Sequence, residues 1–330
     1  MPKTPSLSEF ELIRRYFAAL TPSRDDVLLG IGDDAALLKV PPGMELAVSI
    51  DTLVAGTHFL PDVSPLRLGC KSLAVNLSDL AAMGAEPAWA TLALTLPAVD
   101  SGWLQDFAEG FAELAGRYGV QLVGGDTTRG PLSLTLQLHG FVPEGQALRR
   151  RGGHPGDRIY VTGRLGDAAL ALLLLRRQGA LRVPPPLLRR LEMPQPRVEA
   201  GLALRGVASS AIDISDGLLA DLGHLLEAGG GGARIELERL PLSGETAEFI
   251  AKEGDWSPAL VGGDDYELCF TLPPERSGEV DEIARRLRLA MTPIGEITRE
   301  PGLHVMLPDG RPWQGRVRGY DHFAPLRGEN

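Results

Sequence analysis

The chain has 330 residues, 44% of them hydrophobic, and its 40 Gly and 26 Pro make it turn-rich without reaching low complexity, so a disordered chain is excluded. A net charge of −10 and a pI near 5.2 exclude nucleic-acid phosphate and anionic lipid as main partners. At roughly 150 residues per domain, the length predicts two domains. The longest apolar run, Ala168 to Leu175, stops at Arg176-Arg177, far short of the ~20 residues of a membrane span. The first residues lack a basic start followed by an apolar stretch, so the expectation is a cytoplasmic protein without a signal peptide. Cys70 and Cys269 lie far apart, each in an apolar pattern, which reads as two buried inert thiols rather than a disulfide or a CxxC metal site.

In chain order, residues 8–20 form an amphipathic helical pattern capped by Ser8, followed by the glycine turn GIGDDAALL at 30–38. LAVSID at 46–51 alternates as a strand, residues 66–82 read as a long helix ending at Gly84, and 88–97 as a strand. Ser101 is expected to cap a helix that Gly119 closes, and strands follow at 120–125 and 132–142. This completes an α/β unit. The polar, glycine-rich stretch 144–157 reads as an interdomain connection, and the division is placed at 1–148 and 149–330. Beyond it, strands are expected near 158–162, 209–214, 233–238, 266–272, 293–298 and 303–307. Helices are expected near 166–178, 198–206, 216–228, 243–253 and 276–290. The glycine run 229–232 stops one of these helices.

The positions of the acids carry more information than their number. Asp33-Asp34, Asp51, Asp79, Asp126, Asp213, Asp216 and Asp264-Asp265 fall almost all at strand ends or glycine turns, where α/β proteins build binding crevices. Acids gathered there repel one another unless a cation lies between them, and Mg²⁺ bound by one or two carboxylates with water and phosphate is the usual solution. GIGDD nearly matches a dinucleotide fingerprint, with Gly30, Gly32, Ala35 and an acid, Asp51, further on. Asp33 and Asp34, however, would set two negative charges against a pyrophosphate, which favours a metal–phosphate site. Strand alternation puts Ser49 and Asp51 on one face and Ile50 on the other, so Ile50 could offer only its carbonyl. Asn76 and Asp79 share one helical face, and Asp126 follows Gly124-Gly125 at an expected strand exit. In AIDISDGLLADLGHLL a strand ends at Asp213, and Ser215 or Asp216 is expected to cap the next helix. His58 follows a glycine turn, and Arg149-Arg150-Arg151 is either a solvated linker or a phosphate clamp. Walker A, protein-kinase, GxSxG and HExxH motifs are all missing from the sequence.

GIGDDAALL, SIDTLVAGTHF, NLSDLAAMGAEPAW, VGGDTTRGPL, AIDISDGLLADLGH, GGDDYELCF and GYDHF occur in this order between residues 30 and 323. Together they closely resemble the thiamine-monophosphate kinase family, of the aminoimidazole ribonucleotide synthetase-like superfamily. The resemblance implies a two-domain α/β (α+β) fold. In it the N-terminal sheets of two subunits pair into a barrel and the C-terminal domain completes the active-site cleft, hence a homodimer. It implies transfer of the γ-phosphoryl group of ATP to thiamine monophosphate with several Mg²⁺ ions, the last step of thiamine diphosphate biosynthesis. Asp34, Ser49, Ile50, Asp51, Asp79, Asp126, Asp213 and Asp216 match the family's metal ligands. Gly125, Asp126, Arg150 and Ser215 match its ATP contacts, and His58, Asp264 and Tyr320 its thiamine-monophosphate contacts. Two positions depart from the family: Ile50 often is Thr there, and Asp264 often Glu, whose longer arm reaches further.

The acceptor is a phosphate oxygen already largely ionised at pH 7 (second pKa about 6), so no general base is expected. The rival readings are a selenophosphate synthetase-like or hydrogenase-maturation-like member of the superfamily, an NAD-binding dehydrogenase, and a protein that binds Mg–ATP without turnover. The selenophosphate synthetase-like reading would want a reactive Cys near the N-terminus and the hydrogenase-maturation-like reading one at the C-terminus, and neither Cys70 nor Cys269 occupies such a position.

Overall fold

The computed structural model describes residues 8–315 and Phe323. It divides into two compact units, Met1–Ala147 with Glu192–Arg205, and Leu148–Leu191 with Gly206–Asn330.

The first unit opens with α1 (Glu9–Tyr16), started by a reciprocal capping box in which Glu11 N donates to Ser8 Oγ and Ser8 N donates to Glu11 Oε2 (2.8 Å). β1 (Val27–Leu29) and β2 (Leu37–Leu38) form a small antiparallel sheet of their own. Then come β3 (Met44–Val54), α2 (Pro65–Ala82), β4 (Glu86–Leu96), α3 (Ser101–Tyr118), β5 (Gln121–Arg129) and β6 (Ser133–Pro143). The strands assemble in the order β3-β6-β4-β5, antiparallel except for β4–β5. That parallel pair needs a crossover, which α3 supplies. Leu134, Leu136 and Leu138 alternate onto one buried face of β6, and α2, with Leu73, Leu77 and Leu80 fully buried, packs against β3, β4 and β6. On the other face of β3, Leu46, Val48 and Ile50 are 43%, 50% and 61% exposed. Helix α3 is capped by Asp100, whose carboxylate accepts from Gly102 N (2.8 Å) and Trp103 N (3.0 Å), not by Ser101. Gly119 closes it in the left-handed conformation, φ 63°.

The remaining elements are β7 (Arg158–Thr162), α4 (Asp167–Gln178), α5 (Pro185–Glu192), α6 (Val198–Leu204), β8 (Ser210–Ile214), α7 (Leu218–Gly229) and β9 (Gly232–Glu236). After these come α8 (Gly244–Glu253), α9 (Ser257–Leu260), β10 (Glu267–Leu272), α10 (Ser277–Leu287), β11 (Met291–Thr298) and β12 (Gly302–Met306). Six strands in the order β12-β9-β11-β7-β10-β8 make the sheet of the second unit, antiparallel except β12–β9. Its core joins Ile159 and Val161 of β7, Ile212 and Ile214 of β8, Leu218, Leu222 and Leu225 of α7, and Ile235 and Ile294. Helix α5 is not predicted from the sequence: its prolines occupy the first turn, where the missing N–H is no loss.

The expected division at 148 and 149 requires one amendment. Glu192–Arg205, with α6, belongs to the first unit. There Gly201 packs so closely on α2 that a Cβ at this position would lie 2.0 Å from the Ala81 carbonyl oxygen. Arg67 of α2 pairs with Glu192, and Tyr118 Oη donates to Pro196 O (3.3 Å). Close backbone approach through a glycine cannot be read from a helical periodicity. Gly201→Ala is expected to lower stability in urea unfolding by about 1–3 kcal/mol through overpacking. Gly223→Ala in α7, where the added methyl meets nothing within 4 Å, serves as the control and stays neutral or gains up to about 1 kcal/mol.

Candidate active site

In the first unit, Asp33 and Asp34 sit exposed in the turn between β1 and β2, and Asp34 N donates to Asp33 Oδ1 (2.8 Å). The turn leads into a two-residue strand rather than a helix. A dinucleotide fingerprint requires a helix N-terminus at that point to receive the pyrophosphate, so the NAD-dehydrogenase reading falls. The small sheet that carries the turn is tied to the unit through Asp26. Its carboxylate accepts from Arg24 Nε (3.0 Å), Arg24 Nη2 (2.7 Å) and Trp89 Nε1 of β4 (2.8 Å). The Arg24 guanidinium holds the Asp26 carboxyl below its usual range, against the opposing effect of burial.

Ser49 and Asp51 lie half-buried on the α2 side of β3, while the Ile50 side chain points to the exposed face. Ser49 Oγ donates to Asp79 Oδ2, joining β3 to α2. One turn before Asp79, Asn76 is fully buried; its Nδ2 donates to Ser72 O (3.3 Å), and its Oδ1 has no hydrogen-bond partner among the described residues. An orphaned buried acceptor of this kind costs about 1–3 kcal/mol unless a cation or ordered water satisfies it. His58 Nδ1 accepts from Val54 N (3.0 Å), which fixes the neutral tautomer with its proton on Nε2.

Asp126 does not follow a strand exit. Gly124, Gly125 and Asp126 lie inside β5, just past a bulge where the β4–β5 register slips between Ala90 and Thr91. Gly125 has φ 153°, and a Cβ there would sit 1.9 Å from Leu92 O, so only glycine lets the strand pass. The bulge turns Asp126 out to the exposed side.

In the second unit, Asp213 is buried near the end of β8, opposite Leu268 of β10. Ser215 and Asp216 do not cap α7: the helix starts at Leu218 after Gly217, with no side-chain cap. Asp221 does that work from the first turn. Its Oδ2 accepts from Ser215 N, Asp216 N and Gly217 N, each at 3.0 Å. Burial raises its carboxyl to about 6, against these three amides. The GGDDYEL segment is stitched onto the same loop by Asp264 N to Ser215 O (2.9 Å) and Tyr266 N to Ile214 O (2.8 Å). Asp264 (φ 69°) and Tyr266 (φ 49°) both occupy the left-handed region, strain that surrounding contacts must hold, and Tyr266 Oη donates to Asp264 Oδ1 (3.0 Å).

The second acid of the pair has a structural role. Asp265 is 1% exposed and accepts from Gly166 N at 3.0 Å with both oxygens. Burial pushes its carboxyl well above the carboxylate range, opposed by the Gly166 amide and Arg190. Arg190 Nη2 pairs with the fully buried Glu267 (2.7 Å) and donates to Asp265 O (3.2 Å).

The structure therefore gathers Asp213, Ser215, Asp216 and Asp264 at one end of the second sheet, and Ser49, Asp51 and Asp79 beside α2 in the first. Arg150 is exposed and stands apart from the second group, because Arg149 O accepts from Ala211 N near the other end of β8 (2.9 Å). Tyr320 lies outside the described residues. Among the described residues no three His, Cys, Asp or Glu side chains converge on one point. The donors are hard oxygens of Asp, Ser and Asn, a set suited to Mg²⁺, which takes only one or two carboxylates per ion. Both cysteines are buried, and burial pushes the Cys70 thiol up to about 11 and that of Cys269 to about 12. Asp221 is the residue that motif reading missed; the signal was an acid in the first turn of a helix without another cap.

Both units match one family. The model for the AIR synthase related protein N-terminal domain covers residues 32–142, and that for the C-terminal domain residues 154–308. The fold is that of an AIR synthase related protein. The chain is 52% identical over 321 residues to the thiamine-monophosphate kinase of Escherichia coli (strain K12), covering 96% of this chain and 98% of that one. It superposes on the crystal structure of thiamine-monophosphate kinase from Stenotrophomonas maltophilia K279a with TM-score 0.85 at 47% identity, over 93% of this chain and 98% of the other. A structure described as AaThiL complexed with AMPPCP and TMP matches with TM-score 0.74 at 32% identity, over 86% and 89% of the two chains. The chain belongs to the thiamine-monophosphate kinase family.

Two outcomes are expected from the site's supports. Asp221→Ala leaves three inward amides without an acceptor and speeds hydrogen exchange at residues 215–217 at least about 10-fold, with β9 amides unchanged. Asp26, lowered from 3.8, adds stability above about pH 4 that is lost as pH falls through its folded value. Asp26→Asn should therefore cost about 1 kcal/mol in urea unfolding at pH 7, with the difference shrinking at pH 3.

Proposed function

We infer that the chain transfers the γ-phosphoryl group of ATP to thiamine monophosphate, giving thiamine diphosphate and ADP. The observation that carries this is family membership across both units, at 52% identity over nearly the whole chain. Its ATP co-substrate and thiamine monophosphate are the chemistry of the ligands named for the AaThiL complex.

Asp34, Ser49, Asp51, Asp79, Asp126 and the Ile50 carbonyl of the first unit, with Asp213 and Asp216 of the second, are the residues that would hold Mg²⁺. Mg²⁺, when bound, neutralises the phosphates and favours in-line transfer. The orphaned Asn76 Oδ1 supports this reading, because a cation or its water is what such an acceptor lacks. Gly125 and Ser215 would offer close backbone approach and a hydroxyl to ATP, and Arg150 a two-pronged guanidinium for phosphate. His58, oriented by the Val54 amide, would contact thiamine monophosphate. Asp264 is held towards the same role by Tyr266, and Tyr320 completes that set. The acceptor oxygen is ionised at neutral pH, so positioning and electrostatics suffice without a base.

The active form is a homodimer. Leu46, Val48 and Ile50 form an apolar row on the open face of an edge strand, and a second copy's sheet is the occupant that the family's architecture supplies. The enzyme works in the cytoplasm, where two free buried thiols fit a reducing compartment.

Phosphorus-31 NMR with ATP, thiamine monophosphate and Mg²⁺ should show thiamine diphosphate and ADP growing in, and neither when the acceptor is omitted or EDTA added. Intact ATP would sink the substrate assignment. Asp51→Asn should lower kcat at least about 100-fold with the fold intact; near-normal turnover would remove Asp51 from the metal set. Val48→Asp should convert a dimer to a monomer in analytical ultracentrifugation.

A further inference from the structure

Two features remain outside the transfer chemistry: the end of the arginine run at Arg151 and the glycine run after α7. The second unit brings them together. Arg151, His154, Arg299 and the backbone of Gly229 to Gly231 line one groove of about 490 Å³, within the range of small-ligand sites. It lies at the C-terminal end of α7, while Asp216 precedes the N-terminal end, and the 12 residues of that helix span about 18 Å.

The walls of the groove are locked. Gly152 (φ 136°) runs so close to Ser209 that a Cβ would lie 2.2 Å from the Ser209 carbonyl oxygen, and Gly231 (φ 90°) would meet Thr298 O at 2.7 Å. The turn after His154 is closed by His154 N to Asp157 Oδ2 (3.1 Å) and tied to β11 by Gly156 N to Ile297 O (2.9 Å) and Ile297 N to Asp157 O (2.8 Å). A site built on such backbone contacts needs little ordering when a ligand arrives.

Its charge is the reverse of the chain's. In a protein of net charge −10, no acidic side chain lines this groove. Arg151 Nε donates to Ala228 O (3.4 Å), which caps the electronegative helix end and fixes the guanidinium at the rim. Neither its terminal nitrogens nor Arg299 has an ion-pair or hydrogen-bond partner among the described residues. Two guanidiniums facing one groove without a carboxylate are the arrangement that a phosphate group relieves, by bidentate charge-assisted bonds.

We propose that this groove is a second anion site, taking a small molecule with a terminal phosphate or diphosphate group, separate from the transfer centre. Arg151 and Arg299 grip the phosphate oxygens and the His154 imidazole adds a third donor. The proposal stands independently of the kinase assignment, because none of its residues belongs to the metal, ATP or thiamine-monophosphate sets.

Isothermal titration of the full chain with pyrophosphate in EDTA tests it, since chelation leaves the metal-dependent site unloaded. The expected result is saturable one-to-one binding, weakened at least about 10-fold in Arg151→Ala/Arg299→Ala and changed less than about twofold in Arg150→Ala. The double variant should also keep kcat and the KM for ATP within about twofold. Both arginines are exposed, so folding is not at stake, and circular dichroism checks it. The proposal is overturned by an absence of saturable binding, or by equal binding in the double variant. It is overturned equally by a loss in Arg150→Ala as large as in the double variant, which would assign the pyrophosphate to the ATP contacts.

Discussion

An ionised carboxylate taken out of water stays charged only where N–H groups or cations replace its hydration shell. This protein holds many acids close together, and for several of them backbone amides replace part of the lost hydration. Asp221 takes three amides from residues 215–217, Asp265 takes Gly166 N, Asp157 takes His154 N, and Asp100 takes the first amides of α3. Each of these acids sets the path of a loop or the start of a helix. The neighbouring acids, Asp213 near the end of β8 and Asp216 and Asp264 on the adjoining segments, are carried on backbone that these amide bonds help to hold.

That division of labour explains the local strain. Two non-glycine residues of the GGDDYEL segment, one on either side of Asp265, have positive φ, which single side chains could not sustain in a free loop. Here the segment is clamped by backbone bonds to 214 and 215, by the buried Asp265, and by the Arg190–Glu267 pair beneath it. The clamp turns Asp264 towards the loop of Ser215 while Asp265 faces inward. In the first unit the corresponding support is the Asp26 carboxylate, which ties the turn of Asp34 to Trp89 in the main sheet. In both places a rigid element positions an acid that is not itself part of the core.

Much of this was legible in the sequence. Alternation along β3 placed Ser49 and Asp51 on one face and Ile50 on the other, and the structure keeps them there. The six strands of the second unit followed from periodicity, whereas α5 and the short α9 did not. Capping was less legible. Ser101 and Ser215 both look like caps, yet Asp100 and Asp221 act instead, because several acceptors within one turn compete and the winner depends on the approach angle of the incoming chain. The position of Asp126 was misread for a related reason: two glycines suggest a turn, whereas the β4–β5 pairing pulls them into a bulged strand.

Hydrophobic period, glycine punctuation and the seven ordered motifs are local properties, and they determined the fold class and the family from the sequence alone. Tertiary structure decided what local chemistry leaves degenerate. It sent Glu192–Arg205 back to the first unit through the Gly201 contact with α2. It also separated Asp264 from Asp265 by burial and paired Ser49 with Asp79 across thirty residues. These outcomes depend on which backbones approach closely enough to exclude water, a long-range packing result that no short window of sequence contains.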